Sequence, residues 1–351
     1  MHGYSALDRL LHRLALQRPI AEASFELDQR VPPDAAEQVA DQRHVFVSGL
    51  ARAGTTILMR RLHATGELCS LTYRHMPFVL APRLWGKVGR AFKRDVAAQE
   101  RAHGDRIKVD ADSPESLDEV FWRVLDAEGY IARDHLAPHV PDEETARKFI
   151  AYVAAILSTA GRPGMRYLSK NNNNILRLPT LRRLFPRALI LVPFREPLAH
   201  AASLRRQHAR FTAMQREDAF VHAYMTWLAH HEFGGGHRPF RFDADGGARL
   251  AGLDAGGLDY WLELWRQTYA WLERSAPADA VFVCYEDLCA GPETLERLLD
   301  MAGVTAEPGD AEPLRLSDAP VAHPGDAALV AETARLYARL RDRAGAALQT
   351  G

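Results

Sequence analysis

The stretch VFVSGLARAGTTILMRRL, residues 45–62, joins a short apolar run, a glycine-containing turn and an apolar pattern with helical spacing. The run at its start predicts a buried strand, and the apolar residues between Ile57 and Leu62 predict a helix. A helix N-terminus offers unpaired backbone N–H groups and the positive end of the helix dipole, and glycines let the backbone approach an anion closely. The stretch therefore predicts a phosphate-binding loop between strand and helix.

Two glycines of this turn, Gly49 and Gly54, have the spacing of the loop G-x-x-x-x-G-K-[ST], but Thr55 occupies the lysine position. A nucleotide triphosphatase needs that lysine on its terminal phosphates. Here the cation lies inside the loop as Arg52, whose planar guanidinium suits an anion with several oxygens. The combination indicates a nucleotide whose reactive group is not a γ-phosphate. A glycine-containing turn in an ordinary α/β protein is the alternative.

The composition excludes several classes of protein. Of the 351 residues, 47% are apolar, which is ample for a large core. The 44 basic and 45 acidic side chains nearly cancel, so no overall basic field indicates nucleic-acid binding. The three cysteines have neither metal-ligand nor disulfide spacing, which fits a reducing compartment. No apolar run has the length of a membrane span or of a signal peptide, and we expect a cytoplasmic protein.

Strand and helix patterns alternate along the chain. Apolar runs predict strands at 165–170, at 188–194 and at 280–288, with helices between them. This alternation predicts a P-loop NTPase-like three-layer α/β/α fold around a mostly parallel sheet. In such sheets, ligands collect at the carboxyl ends of the strands.

We expect one domain over 1–351, with its core at about 43–305. Before the core we expect a helical N-terminal extension at 1–42, and after it a helical tail at 306–351. Within the core we expect a glycine-rich excursion or lid at 234–257. Further helices are predicted from Ser113 onward and over 217–232.

Polar residues follow two of the predicted strands. Arg195 comes directly after the strand at 188–194, and Ser203 lies eight residues further on, in the next helix. An arginine and a hydroxyl placed in this way can jointly bind a second phosphate. Lys170 ends the strand at 165–170 and precedes four asparagines, 171–174.

These motifs resemble those of sulfotransferases that use 3′-phosphoadenosine-5′-phosphosulfate (PAPS). ARAGTT resembles their P-R-S-G-T-T loop, RxPxxxxxS from Arg195 resembles their 3′-phosphate motif, and YEDL from Tyr285 resembles the end of a late strand. The resemblance covers roughly 44–63, 165–205 and 280–303, and the motifs are closest to the tyrosylprotein-type and bacterial Golgi-like branch. The asparagines after Lys170 depart from the family pattern.

The resemblance implies a role for each matching residue. Residues of the loop would hold the 5′-phosphosulfate: Arg52, Ala53, Gly54, Thr55 and Thr56. Arg52 would also act in catalysis. Arg195 and Ser203 would hold the 3′-phosphate, and Tyr285 would lie near the nucleotide. Lys170 would stabilise the leaving oxygen as 3′,5′-adenosine diphosphate departs. The arginines and lysine supply the positive charge, so no metal is expected.

The acceptor needs a general base. A related enzyme places a glutamate where this chain has the segment around His75, and that imidazole is the first candidate. Glu115 and Glu119 are the reserve candidates, on one predicted helical face. His230, His231 and Glu232 suggest a metal site only weakly, because neighbours on a helix point to different faces.

The predicted reaction is transfer of a sulfuryl group from PAPS to a hydroxyl or amine, with a carbohydrate or glycan preferred as the acceptor. The alternatives are a P-loop kinase or nucleotide hydrolase, and a non-catalytic nucleotide-binding protein with the same fold. The acceptor and the oligomeric state do not follow from the sequence.

Overall fold

The computed structural model describes residues 5–29, 33–91, 99–100, 108–109, 113–305, 314, 316 and 325–349. Its strands are β1 Val45–Val47, β2 Leu68–Cys69, β3 Gln99–Glu100, β4 Lys108–Val109, β5 Arg166–Lys170, β6 Leu189–Phe194 and β7 Val281–Cys284. Its helices are α1 Ala6–Ala15, α2 Arg18–Asp28, α3 Pro33–Ala40, α4 Thr55–Ala64, α5 Pro82–Ala91, α6 Glu119–Asp126, α7 Glu143–Leu157, α8 Leu178–Leu184, α9 Pro197–Glu217, α10 Ala219–Trp227, α11 Ala244–Ala251, α12 Leu258–Ser275, α13 Tyr285–Ala290, α14 Glu293–Ala302 and α15 Ala327–Gln349. The predicted tail from 306 lies partly outside these ranges. Within them, no helix combines the length and apolarity needed to cross a membrane.

Five strands form one sheet in the order β2-β5-β1-β6-β7, and all neighbouring pairs are parallel. β1 lies at the centre, where Val47 is level with Lys170 of β5 and with Leu191 of β6. Because the five strands point the same way, the loops after them leave from one edge of the sheet. The predicted parallel sheet is confirmed.

Helices cover both faces of this sheet. Successive side chains of a strand point to opposite sides, so each strand contributes apolar side chains to a core on both faces. On one face, Val45 and Val47 pack in a core with Leu58 and Leu62 of α4. On the other face, Phe46 belongs to a larger core that also contains the aromatic side chains of α6 and α7. Full burial of each large apolar side chain is worth about 1.5–3 kcal/mol. The layers form the predicted α/β/α fold, with the P-loop between β1 and α4.

A buried ion pair ties α6 to the turn after β5. Arg177 is fully buried and its two terminal nitrogens donate to the carboxylate of Glu119 at 2.7 and 3.0 Å. Its Nε donates to Nδ1 of His139 at 2.9 Å, and its guanidinium stacks against Trp122, 4.9 Å from the ring centre. Burial, and next the charge of Arg177, lower the pKa of His139, so the ring stays neutral and can accept this bond. Every polar group of the pair is thereby satisfied, which a buried charge requires.

Two of the asparagines after Lys170 form hydrogen bonds with this ion pair. Asn171 Nδ2 donates to Glu119 at 2.7 Å, and Asn174 Oδ1 accepts from Arg177 at 3.1 Å. Glu119 is therefore a structural partner of Arg177, and its proposed reserve role as a base does not fit this buried position.

The helix predicted from residue 113 begins only at Glu119. The backbone N–H of Glu115 donates to the carbonyl of Leu71 at 3.0 Å, which holds the chain before α6 in an irregular path. Glu115 and Glu119 do not share a helical face as predicted. The Glu115 carboxylate accepts from the hydroxyl of Tyr73 at 2.7 Å.

The helix predicted over 217–232 is also shorter. α10 ends at Trp227, and Ala229 has a φ of 54°, a left-handed conformation that a continuing helix does not allow. His230, His231 and Glu232 consequently lie in an irregular segment. Among the described residues, no group of three or more acidic, histidine or cysteine side chains is arranged to hold a metal ion.

Two further predicted elements differ from the structure. The glycine-rich segment 234–257 contains α11, whose N-terminus is capped by Asp243 Oδ1, which accepts from the N–H of Gly246 at 2.7 Å. The strand predicted over 280–288 ends at Cys284, and Tyr285 begins α13.

We expect Arg177→Met to lower the free energy of unfolding by about 3–5 kcal/mol, because it leaves the Glu119 carboxylate buried without its cation. Urea denaturation at neutral pH measures the loss. The control is Arg183→Met, whose ion pair with Glu143 at 2.7 Å is exposed and should contribute at most about 1 kcal/mol. Equal losses of unfolding free energy in the two variants would contradict the prediction that the buried pair stabilises the protein more than the exposed pair.

Candidate active site

The P-loop needs glycine at two positions for different reasons. A Cβ on Gly49 would lie 2.4 Å from the carbonyl oxygen of Pro193 in β6, so the loop can pass the sheet only without a side chain there. Gly54 has a φ of 84°, and a Cβ on it would lie 2.4 Å from Cδ2 of Tyr285. Arg52 also adopts a left-handed conformation, with a φ of 72°. Strain of this kind costs a non-glycine residue roughly 1–2 kcal/mol and is found preferentially at functional sites.

The N-terminus of α4 follows directly. Thr55 and Thr56 are its first two residues, and the first four N–H groups of a helix have no partner within the helix. The hydroxyl of Ser48, at the start of the loop, is fully buried and makes no hydrogen bond with any described residue. Backbone N–H groups, hydroxyls and the dipole are thus collected at the place where the sequence predicts an anion.

Arg52 connects the P-loop to the second predicted motif. Its Nε donates to the hydroxyl of Ser203 in α9 at 3.4 Å. The two residues are 151 positions apart in the chain, and the parallel sheet brings them into contact. The two predicted phosphate-binding motifs therefore form one continuous site.

Arg195 directly follows the end of β6. Only 7% of its surface is exposed, and its Nε makes no hydrogen bond to a described residue. The nearest carboxylate oxygen, on Glu286, is 3.9 Å from this nitrogen and accepts instead from the N–H of Glu196 at 3.0 Å. A buried guanidinium with an unbonded nitrogen is a site for an added anion.

Tyr285 packs against the P-loop and against Arg195. Its ring touches Gly54, and the guanidinium of Arg195 lies 5.4 Å from the ring centre. Burial raises the pKa of Tyr285 to about 12, against the opposing charges of Arg195 and Arg52, so the phenol is neutral. The aromatic ring thus supplies an uncharged wall beside the cations.

The sequence did not predict a role for His200, although it lies one helical turn before Ser203 on the same face of α9. It is fully buried, and its Nε2 donates to the carbonyl of Ala51 in the P-loop at 2.8 Å. Burial first, and then the charges of Arg195 and Arg52, lower its pKa to about 3. His200 therefore holds the loop as a neutral donor.

A third arginine extends the positive region. Burial and then the charges of Arg195 and Arg205 lower the pKa of Arg206, which is exposed on α9. Arg195 and Arg205 are therefore cations close enough to act on Arg206. An anion bound here would relieve that repulsion.

Lys170 lies next to the P-loop, as its strand end predicts. It is buried, it is level with Val47 in the sheet, and the following N–H, of Asn171, donates to the carbonyl of Val47 at 3.1 Å. The sequence-based placement of this cation beside the loop agrees with the structure.

A cleft opens beside the loop and Lys170. Its walls include Leu50 and Ala51 of the P-loop, Asn172, Glu232 and Trp261. Its cavity volume is about 20 Å³, and the space around that cavity opens to solvent. The cleft therefore combines an apolar wall, an aromatic ring and one carboxylate next to the predicted anion site.

His75 lies in a 3₁₀ turn after β2, away from the described lining of this cleft. Its Nδ1 accepts a hydrogen bond from the backbone N–H of Thr72 at 3.0 Å, which closes the turn. With Nδ1 used as an acceptor, the neutral ring carries its proton on Nε2. A nitrogen that already bears a proton cannot act as a base, so the predicted role of His75 finds no support in this geometry.

Comparison with known proteins agrees with these features. The model of the sulfotransferase family matches residues 44–238, more than half of the chain. No curated protein matches the sequence significantly. The chain is similar to the solved structure of sulfotransferase STF1 from Mycobacterium tuberculosis H37Rv, with 16% identity, 97% of this chain and 82% of that chain covered, and a TM-score of 0.46.

Two further solved structures are similar. For sulfotransferase STF9 from Mycobacterium avium the identity is 14%, the coverage 96% of this chain and 81% of that chain, and the TM-score 0.44. For the sulfotransferase from Alicyclobacillus acidocaldarius the identity is 14%, the coverage 88% and 97%, and the TM-score 0.38. Because the family model matches more than half of the chain, the chain belongs to the sulfotransferase family.

Proposed function

We propose that this chain transfers a sulfuryl group from PAPS to a hydroxyl or amine of an acceptor, with carbohydrates as the first acceptor class to test. PAPS supplies an activated sulfuryl group on its 5′-phosphate and carries a second phosphate on its 3′-oxygen. The donor therefore needs two anion sites a few ångströms apart, one of them beside the reacting group.

The buried Arg195 is the observation that carries the proposal. A guanidinium that is 7% exposed and has an unbonded Nε costs stability until an anion accepts from it. Ser203, eight residues further along in α9, offers a hydroxyl, and its hydrogen bond with Arg52 links it to the P-loop. This pair of neighbouring anion sites suits a 3′-phosphate and a 5′-phosphosulfate, whereas a nucleoside triphosphate needs only the first loop.

The proposed contacts divide between the two sites. Backbone N–H groups and side chains of the P-loop would hold the 5′-group: Arg52, Ala53, Gly54, Thr55 and Thr56. Arg195 and Ser203 would hold the 3′-phosphate, with the ring of Tyr285 beside them. Lys170, buried at the end of β5, would donate to the oxygen that leaves with the nucleotide.

Two features weigh against the kinase alternative. Thr55 occupies the position of the lysine that a P-loop kinase uses on its terminal phosphates. The strand β6 is followed by Arg195, where a metal-binding aspartate would serve a magnesium nucleotide. The cations of this chain are instead Arg52 inside the loop and Arg195 after β6, which suits a donor bound without a metal.

The cleft next to Lys170 is the proposed acceptor site. Its lining includes the side chains of Trp261, Phe240, Leu50 and Leu136, which are almost fully buried in this structure. The choice of carbohydrates for the first acceptor screen rests on the resemblance of the sequence and not on this lining.

We expect 3′,5′-adenosine diphosphate to stabilise the protein in a thermal-shift titration, because a ligand at 100 times its Kd adds about 2.7 kcal/mol to the stability. Arg195→Ala should weaken this ligand roughly 10-fold to 150-fold, the loss of a charged hydrogen bond worth about 1.5–3 kcal/mol. Arg187→Ala is the matched control, since that arginine is exposed and pairs with Asp41 at the surface.

Stabilisation by ATP–Mg²⁺ with none by 3′,5′-adenosine diphosphate would overturn the proposal in favour of a kinase. Binding of the bisphosphate without turnover of PAPS on a broad acceptor panel would favour a non-catalytic nucleotide-binding protein.

Lys170→Met should separate binding from chemistry. We expect kcat for sulfuryl transfer from PAPS to 4-nitrophenol to fall about 100-fold or more, because the donor to the leaving oxygen acts mainly in the transition state. The Kd for 3′,5′-adenosine diphosphate should change by less than a factor of about five. Lys148→Met, at a surface ion pair with Glu144, is the control. A parallel loss of binding and kcat would assign Lys170 to nucleotide binding.

A further inference from the structure

Glu232 is the only acidic side chain among the described residues that line the cleft. Its side chain is 16% exposed, so it is neither a surface carboxylate nor sealed in the core. Leu50 and Ala51 of the P-loop line the same cleft. The carboxylate is thus on the acceptor side of the proposed sulfuryl position.

The position of Glu232 is fixed from two sides. Its Oε1 accepts from Asn172 Nδ2 at 3.0 Å, and its Oε2 lies 3.5 Å from Nδ1 of His230. Asn173 Nδ2 donates to the carbonyl of Ala229 at 3.2 Å, and this holds the left-handed residue at which the chain turns away from α10. The middle asparagines after Lys170 therefore fasten the segment 229–232 to the end of β5.

The charges around the carboxylate keep it ionised. Burial on its own raises the pKa of Glu232, but the charge and hydrogen bond of His230 and the charge of Lys170 outweigh burial and hold this pKa well below its ordinary range. The other histidines nearby are neutral, since burial is the main cause that lowers the pKa of His231 and of His237 to about 4. Arg238, whose guanidinium lies 3.3 Å from Nε2 of His231, completes the polar side of the cleft.

We infer that Glu232 is the general base that takes the proton of the acceptor hydroxyl, an inference that rests on the proposed function. The acceptor oxygen forms a bond to sulfur while the bond from sulfur to the bridging oxygen of the donor breaks. The electron pair of the broken bond leaves on the 5′-phosphate of 3′,5′-adenosine diphosphate, next to Lys170. The hydroxyl proton passes to the carboxylate of Glu232, and the carboxylic acid later returns it to solvent.

A carboxylate with a low pKa can serve in this step. An alcohol or phenol is a far weaker acid than a carboxyl group in its ground state, so the proton does not move before bond formation. As the oxygen bonds to sulfur it becomes positive and its proton becomes strongly acidic, and a positioned carboxylate then accepts it. Asn172 is a positioning residue in this scheme, because it acts on Glu232 and not on the acceptor.

The test compares two acceptors that share a ring and differ in acidity, 4-nitrophenol and 4-methylphenol, with PAPS as donor. Glu232→Gln keeps the size of the side chain and an acceptor for Asn172, but removes the base. We expect kcat/KM to fall about 100-fold or more with 4-methylphenol. With 4-nitrophenol, which ionises near neutral pH without help, the loss should be less than about tenfold. Stabilisation by 3′,5′-adenosine diphosphate should be unchanged.

Two further variants sharpen the result. Asn172→Ala should lower kcat/KM for 4-methylphenol about tenfold and leave 4-nitrophenol almost unaffected. Glu128→Gln, a carboxylate with 93% of its side chain exposed, should match the wild type with both acceptors. Equal activity of Glu232→Gln and wild type, or an equal loss with both phenols, would overturn the assignment. A wild-type protein that neither binds the bisphosphate nor turns PAPS over would overturn the proposed function, and the assignment with it.

Discussion

The parallel pairing of β1 with β5 on one side and β6 on the other is the constraint on which the site depends. Val47 is level with Lys170 and with Leu191, so three chain segments leave the sheet at the same edge. The backbone hydrogen bonds of these strands are buried and must all be made, which fixes the register. The P-loop, the lysine and the arginine after β6 are therefore neighbours because of the sheet, although up to about 150 residues separate them in the chain.

The balance of charge at this edge is unfavourable in the protein alone. Arg195 is buried with an unbonded nitrogen, Arg206 lies within reach of its charge, and Glu286 is the acidic side chain nearest to Arg195. His200 stays neutral because burial and the charges of Arg195 and Arg52 oppose its protonation, so it adds a hydrogen bond to the loop without adding charge. A bound anion would reduce the repulsion between these arginines. Part of the stability of the complex would therefore be electrostatic.

Residues that follow an apolar run could be found from the sequence, and residues held by long-range hydrogen bonds could not. Arg52, Lys170 and Arg195 each come after a strand pattern, and parallel strands bring such positions together. Glu232 sits instead in a stretch whose apolar spacing continues a helix, and nothing local marks the left-handed Ala229 that ends it. One partner of Glu232, His230, is local, but the hydrogen bond that fastens Glu232 to the end of β5 comes from Asn172, 60 residues earlier in the chain, and the sequence pattern does not show that contact.

The asparagines after β5 show why an amide run can stand at a place where the sequence departs from the family pattern. An amide has donors and an acceptor but no charge, so it can be buried between a carboxylate and a guanidinium and satisfy both. Asn171 and Asn174 do this for Glu119 and Arg177 in the core, while the two asparagines between them turn their amides toward the cleft. A single short turn is thereby hydrogen-bonded both to the buried ion pair and to the carboxylate in the cleft. The position of the proposed base therefore depends on the core. If the Glu119–Arg177 pair were held less tightly, the turn, and Glu232 with it, could shift relative to Lys170.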